Sequence, residues 1–237
     1  MPELTLAAPP RIAWSDFRAR LAGADPAMAW RQGEHVALIG PTGGGKTTLA
    51  LELQELRAWS VLLATKPRDR TLASLPRRGW LRLKEWPPPW GRRRILLWPP
   101  MRQVADMATQ RQVLDHALRC MFAEGGWAIT ADDLNYLVKL GLGPVLEVMW
   151  LNGRSVGISL IGAVQRPAFV PMLLYSQSTH LFFWRTNDSV DLKRIGGLNG
   201  VDDRQVRSVV AALPRYDALY VNTRTGAQAI TRVERSS

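Results

Sequence analysis

The sequence predicts an α/β fold, a mostly parallel sheet sandwiched by helices, and three observations predict it. Short apolar runs alternate with helical stretches from His35 onward, the rhythm of strand–helix–strand units. The run Ser155 to Val164 is apolar and rich in small residues, as strands buried on both faces are. Finally, 46% hydrophobic and 22% charged residues over 237 positions is ordinary globular usage, enough to bury a core without disulfides or metals.

Taken in order, residues 1–32 carry Pro9, Pro10 and Pro26 around a short helix capped by Ser15 or Asp16, and read as an N-terminal arm. The main domain spans 33–237. Val36 to Ile39 is the first strand, Lys46 to about Ala58 a helix, and Ser60 to Thr65 the second strand. Residues 67–100, rich in proline and arginine, break this rhythm and read as an insertion. Two short strands, Leu81 to Trp86 and Ile95 to Trp98, fit inside it. Val104, Met107, Ala108, Leu114, Leu118, Met121 and Phe122 fall at helical spacing, so 103–123 is an amphipathic helix ended near Gly125-Gly126, with Cys120 as packing. Trp127 to Ala131, Ser155 to Val164 and Thr179 to Trp184 are further strands. The tail, 217–233, reads as a β-hairpin around Arg224 to Ala227.

Composition also excludes. A lone Cys120 forbids an intrachain disulfide or a multi-cysteine zinc site and points to a reducing, cytoplasmic setting. No targeting segment stands out, and the best membrane candidate, Val145 to Val164, is interrupted by Glu147, Asn152 and Arg154, so no membrane insertion is expected. A balance of 31 basic against 20 acidic residues, net +11, makes a polyanion the expected partner, although arginine-rich genomic composition gives the same excess.

One motif carries chemistry. Gly40-Pro41-Thr42-Gly43-Gly44-Gly45-Lys46-Thr47 fits G-x-x-x-x-G-K-[ST] between a strand and a helix, the context that marks a phosphate loop. Glycines 43 to 45 permit positive φ and turn backbone N–H groups around phosphate oxygens, with the helix dipole behind them. The nucleotide-binding run is Gly40 through Thr48: Lys46 bridges the β- and γ-phosphates and Thr47 offers a hydroxyl to Mg²⁺. On the strand ending Thr130-Ala131-Asp132-Asp133, Asp132 is the second Mg²⁺ position. Asp133 either activates the attacking water or caps the following helix. Gln165, directly after a strand, is placed either to sense the γ-phosphate or to position water. Arg154, on the turn before that strand, is either an ordinary solvated arginine or one that reaches a neighbouring subunit's nucleotide. Arg77, Arg78, Arg92, Arg93 and Arg94, interleaved with Trp80, Trp86 and Trp90, are either DNA-backbone contacts or a solvated basic loop.

Together these residues resemble the FtsK/HerA superfamily of DNA-pumping ATPases, especially small phage and mobile-element members related to genome-packaging ATPases. The resemblance covers about 33–213 and rests on Gly33-Glu34-His35, the loop Gly40 to Thr47, the strand ending Asp132-Asp133, and Gly153-Arg154-Ser155-Val156-Gly157-Ile158 running into Gln165-Arg166-Pro167. Thr65-Lys66-Pro67 is similar to a lysine-containing turn of the family. The resemblance implies a RecA-like P-loop NTPase core that uses ATP and Mg²⁺. It also implies a homo-oligomeric ring, commonly a hexamer, threading double-stranded DNA, with a phage portal or capsid component as a further partner. By resemblance Arg154 acts across a subunit interface, Gln165 is the sensor and Asp133 the catalytic carboxylate. The family's metal-binding strand usually ends Asp-Glu, whereas here it ends Asp132-Asp133, one methylene shorter. Two rivals share the residues: an ATPase of the same fold that moves protein or serves phage export, and a nucleotide-switched module that binds DNA or a portal with little turnover.

Overall fold

The computed structural model describes residues 8–166, 175–196 and 203–234. Its strands are β1 (His35–Ile39), β2 (Ser60–Leu63), β3 (Leu81–Leu83), β4 (Arg94–Leu97), β5 (Ala128–Ala131), β6 (Ser159–Val164), β7 (Ser178–Trp184), β8 (Asp217–Asn222) and β9 (Gln228–Arg232). Helices α1 (Trp14–Ala19), α2 (Lys46–Gln54), α3 (Arg70–Ala73), α4 (Met107–Glu124), α5 (Leu134–Leu137) and α6 (Gly143–Asn152) lie among them, with two more at Ser189–Gly196 and Asp203–Ala212. The expected fold class holds: a mostly parallel sheet flanked by helices, with a C-terminal antiparallel hairpin. The chain divides into two compact units, one of Arg31–Val36 and Ala50–Val164, the other of Met1–Trp30, Ala37–Leu49 and Gln165–Ser237.

In the first unit the strand order is β3-β4-β2-β5-β6, parallel throughout. β2, β5 and β6 are buried at every residue, which is why their sequences lack a polar face. The proline-rich segment is built into this sheet: β4 pairs with β2, β3 forms the edge, and Leu72, Leu75, Trp80 and Trp98 pack with Leu51, Leu62 and Leu96. The strand expected from Leu81 to Trp86 ends at Leu83, where the exposed Lys84 and Glu85 leave it. β6 begins at Ser159 and not Ser155, because Gly153–Val156 forms a helical turn that Gly157 closes at φ 70°.

The long helix α4 also differs from its expected face. Val104 is 78% exposed in a short turn ahead of the helix, and the buried stripe is Gln110, Leu114, Ala117, Leu118 and Met121. Cys120 falls one position off that stripe and is half-buried, its sulfur 3.7 Å from His116 Nε2. Helix α6 lays Leu146, Met149 and Trp150 into the core. The stretch Leu134–Val156 is long and apolar enough, by length and composition, to cross a membrane, but Gly141 at φ 91° breaks it and its Leu137, Leu142 and Met149 are fully buried.

In the second unit β1, β7, β8 and β9 are neighbours in that order, β7, β8 and β9 antiparallel. Residues 8–30 of the expected arm belong here. Phe17 of α1 is fully buried with its ring 5.1 Å from Tyr220 and 5.9 Å from Phe182. Arg11 bridges to Ile230, and its guanidinium, with that of Arg232, holds the buried Asp217 at 2.6 and 2.7 Å.

Candidate nucleotide-binding site

Ala37–Ile39 of β1, buried, deliver the chain into Gly40, and the loop that follows owes its shape to glycine. A Cβ on Gly40 would stand 2.6 Å from Trp184 Cβ, so only glycine lets the loop lie against β7. Gly43 and Gly45 take φ 78° and 109°, the left-handed backbone that exposes consecutive N–H groups on one side. Gly44 keeps negative φ, and its freedom is spatial: its Cβ would press on the Pro41 carbonyl at 3.2 Å and on Trp184 at 3.4 Å. The buried Lys46 ammonium donates to the carbonyls of Gly40 and Pro41 at 2.6 and 2.8 Å, so the charge lies inside the curl of the loop. Thr47 and Thr48 follow in the first turn of α2, where a helix N-terminus favours anions.

Gln165, singled out for its position after β6, comes directly to this loop: the Thr42 hydroxyl donates to Gln165 Oε1 at 3.0 Å. The neighbouring Arg166 pairs with Asp188 at 2.6 Å and with Asp191 at 3.5 Å. Pro167, which completes that run, lies outside the described residues.

In the other unit Asp132 closes β5 with only 8% of its surface exposed. Its Oδ2 lies 3.3 Å from Lys66 Nζ, which is also 3.7 Å from Asp69. Burial pushes the Lys66 ammonium down, but Asp132, Asp69 and Asp133 more than offset this and raise it above its ordinary value. The Lys66 turn is itself fixed, since Trp98 Nε1 donates to the Lys66 carbonyl and Gln110 Nε2 to that of Thr65. Lys66 carried only a loose sequence signal, and its pairing with Asp132 needs the register of β2 against β5, which no local motif encodes. Asp133 caps α5, its Oδ1 accepting from Tyr136 N at 3.1 Å. Among the described residues no group of three His, Cys, Asp or Glu could hold a metal. Thr47, in the one unit, carries a hydroxyl and Asp132, in the other, a buried carboxylate, each a hard oxygen donor of the kind Mg²⁺ takes.

Arg154 is exposed on the turn ahead of β6, whereas Gln165 follows that strand, whose six residues span about 20 Å. The turn is held by a device that the sequence did not announce. The buried His35 accepts the Leu160 N–H at Nδ1 and donates from Nε2 to the Trp150 carbonyl, both at 3.0 Å. Gly33 lies so close under Arg154 that a Cβ would meet its carbonyl at 3.0 Å. Burial pulls the His35 ring down to about 4, the Trp150 carbonyl opposing and Arg154 adding to the effect.

The DNA candidates divide. Arg77, Arg78, Arg92 and Arg93 are exposed, while Arg94 is half-buried and ion-paired with Glu55. Arg92 and Arg93 precede β4 and Arg94 opens it, at the opposite end of the parallel strands from Asp132, and with the half-buried Arg57 they line a cleft of about 430 Å³. Arg93 also lies over the Trp59 ring at 5.4 Å. Trp80 and Trp86, which lie between these arginines in the sequence, are 3% and 7% exposed and belong to the core; Trp90 is fully exposed.

No family model and no curated protein matches the chain. Solved structures do. The genome packaging NTPase B204 from Sulfolobus turreted icosahedral virus 2 in complex with AMPPCP superposes with a TM-score of 0.61 at 15% identity, over 86% of this chain and 100% of that one. The structure of B204 described as the DNA-packaging ATPase from Sulfolobus turreted icosahedral virus gives 0.62 at 14% identity, over 86% and 100%. The cytoplasmic domain of the Thermomonospora curvata type VII secretion ATPase EccC gives 0.54 at 16%, over 87% of this chain and 26% of that one. At 14–16% identity, what is shared with them is the fold.

Proposed function

We propose that this chain is a Mg²⁺-dependent ATPase that couples ATP hydrolysis to movement along double-stranded DNA, as in packaging or transferring a genome, working as a ring of identical subunits, a hexamer in the simplest case. The observation that carries the reading is the Thr42–Gln165 bond, which ties a carboxamide to the rim of a loop whose glycines and lysine are arranged for phosphate. The likeness in fold to a DNA-packaging ATPase and to an NTPase crystallised with AMPPCP supports it.

In this reading the N–H groups of Gly43 to Thr48 and the Lys46 ammonium bind the β- and γ-phosphates, with Thr47 and Asp132 as the residues that hold the metal. When bound, Mg²⁺ neutralises charge on the phosphate oxygens. Asp133, its carboxylate oriented by the bond to Tyr136 N, takes the proton of the attacking water. Gln165 senses the γ-phosphate through Thr42, and Arg154 completes the site of the adjacent subunit. Exposed arginines at 77, 78, 92 and 93 neutralise DNA phosphates. A phage portal or capsid component is the further partner that a packaging role requires.

Steady-state ATP hydrolysis with Mg²⁺, measured alone, with single-stranded and with duplex DNA, tests this. Duplex stimulation that is lost in Lys46→Ala supports it, and mixing Lys46→Ala with Arg154→Ala subunits should then restore part of the rate. Turnover unaffected by any DNA favours an ATPase that moves protein, a reading that the likeness to a secretion ATPase keeps in view. Tight nucleotide binding with almost no turnover favours a nucleotide-switched module, consistent with one Asp133 oxygen being engaged in the cap.

A further inference from the structure

In the first unit the proline-rich segment turns back toward β4 at Trp90. Arg92 N donates to the Pro89 carbonyl at 3.3 Å, closing a β-turn with Trp90 and Gly91 at its corner, and Gly91 at φ 79° supplies the left-handed residue that such a turn takes. Trp90 is fully exposed there, whereas Trp80, Trp86 and Trp98 of the same segment are core. An indole left wholly in water adds no buried area to the fold. Its stem is stiff, because the prolines at 87, 88 and 89 each fix φ.

The cations begin at the next residues, since Gly91 and Arg92 to Arg94 line the cleft of about 430 Å³ together with Arg57 and Gly79. Arg94 is ion-paired with Glu55, while Arg92 and Arg93 are exposed. Burial pulls the Arg57 guanidinium down to about 10, Glu34 opposing, which leaves it charged at neutral pH. Arg93 lies over the Trp59 ring, an attraction that holds its guanidinium at this end of the sheet. Cations along a groove and an open aromatic face are the two elements that a single strand needs, the first for its backbone and the second for its bases. A duplex uses only the first, because its bases are stacked on one another and show their edges to a protein.

We propose that Trp90 and the arginine cleft form a site for single-stranded DNA, a base stacking on the indole while Arg92 and Arg93 neutralise the phosphates beside it. The proposal rests on one part of the functional reading, that these arginines meet DNA phosphates, and adds a preference for an unpaired strand, such as a chain end. It needs neither ATP nor motion.

Fluorescence anisotropy without nucleotide tests it, using labelled oligothymidylate, an abasic strand of the same length and a blunt duplex. Wild type should bind oligothymidylate more tightly than the abasic strand. In Trp90→Ala the oligothymidylate affinity should fall about 5- to 150-fold, the loss that one base–aromatic stack carries, with abasic and duplex affinity unchanged. Trp90→Phe should retain most of the binding, and Arg92→Ala with Arg93→Ala should weaken all three probes. Equal wild-type affinity for oligothymidylate and the abasic strand, or an unaltered oligothymidylate affinity in Trp90→Ala, would overturn the stacking site and leave the arginine contacts standing. An equal loss on all three probes in Trp90→Ala would assign the indole to support of the turn and overturn it too. If wild type binds no probe, or the double arginine variant binds all three as wild type does, the arginine contacts fall first and the site with them.

Discussion

At the residue scale, Gly40 and His35 give the sharpest consequences. Gly40→Ala sets a methyl 2.6 Å from Trp184 Cβ, and because the loop starts there, the strain must move the loop or Trp184. The expected result is a loss of about 1–3 kcal/mol of stability together with weakened nucleotide binding, checked by denaturant unfolding and titration. His35 makes stability depend on pH. Its folded value of about 4 lies below the ordinary 6.5, so the unfolded chain takes up the proton first and stability, full above pH 6.5, falls as pH drops toward 4. Between pH 6.5 and 5, before most carboxylates titrate, about 1.5 kcal/mol should be lost, and a ring that titrates at or above 6.5 by NMR would refute the burial argument. The phosphate loop was fully legible in the sequence, since its residue types are dictated by backbone geometry over eight positions. His35 was not, because its two partners lie 115 and 125 residues away.

At the element scale, β6 is the strand to test. It runs from the Arg154 turn to Gln165, and Gly162 within it lets the indole of Trp150 of α6 pack close against the strand, a Cβ there coming 2.7 Å from the indole. Gly162→Ala should cost about 1–3 kcal/mol and lower Tm by about 5 °C, read by calorimetry, whereas Gly226→Ala, in the hairpin turn with nothing within 4 Å, should cost only its positive-φ strain of about 1 kcal/mol. Strands buried on both faces announce themselves by uniform apolarity, so β1, β2, β5 and β6 were readable within a few residues. The start of β6 was misjudged because Arg154-Ser155-Val156 is as compatible with a strand as with a turn, and only the φ of Gly157 decides. Trp80 and Trp98 of the proline-rich segment follow the general tendency of that residue to be core, and the pairing of β4 with β2 shows where they are buried.

At the scale of the whole molecule, the net charge of +11 decides what can be bound but not by which residues. If the exposed arginines each neutralise a phosphate, Arg92→Ala with Arg93→Ala should reduce the slope of log affinity for duplex DNA against log salt by about 2. Arg94→Ala should instead weaken folding modestly, since it breaks the pair with Glu55 and leaves the salt slope nearly intact. Ring formation and the trans role of Arg154 have no signature inside one chain, so they rest on the sequence resemblance alone. The central claim, that ATP hydrolysis here drives motion on DNA, is tested most directly by displacement of a third strand from a triplex on linear duplex DNA. ATP-dependent displacement by wild type, absent in Lys46→Ala and absent without ATP, is the predicted result. A wild-type protein that binds duplex and hydrolyses ATP but leaves the third strand in place would contradict it.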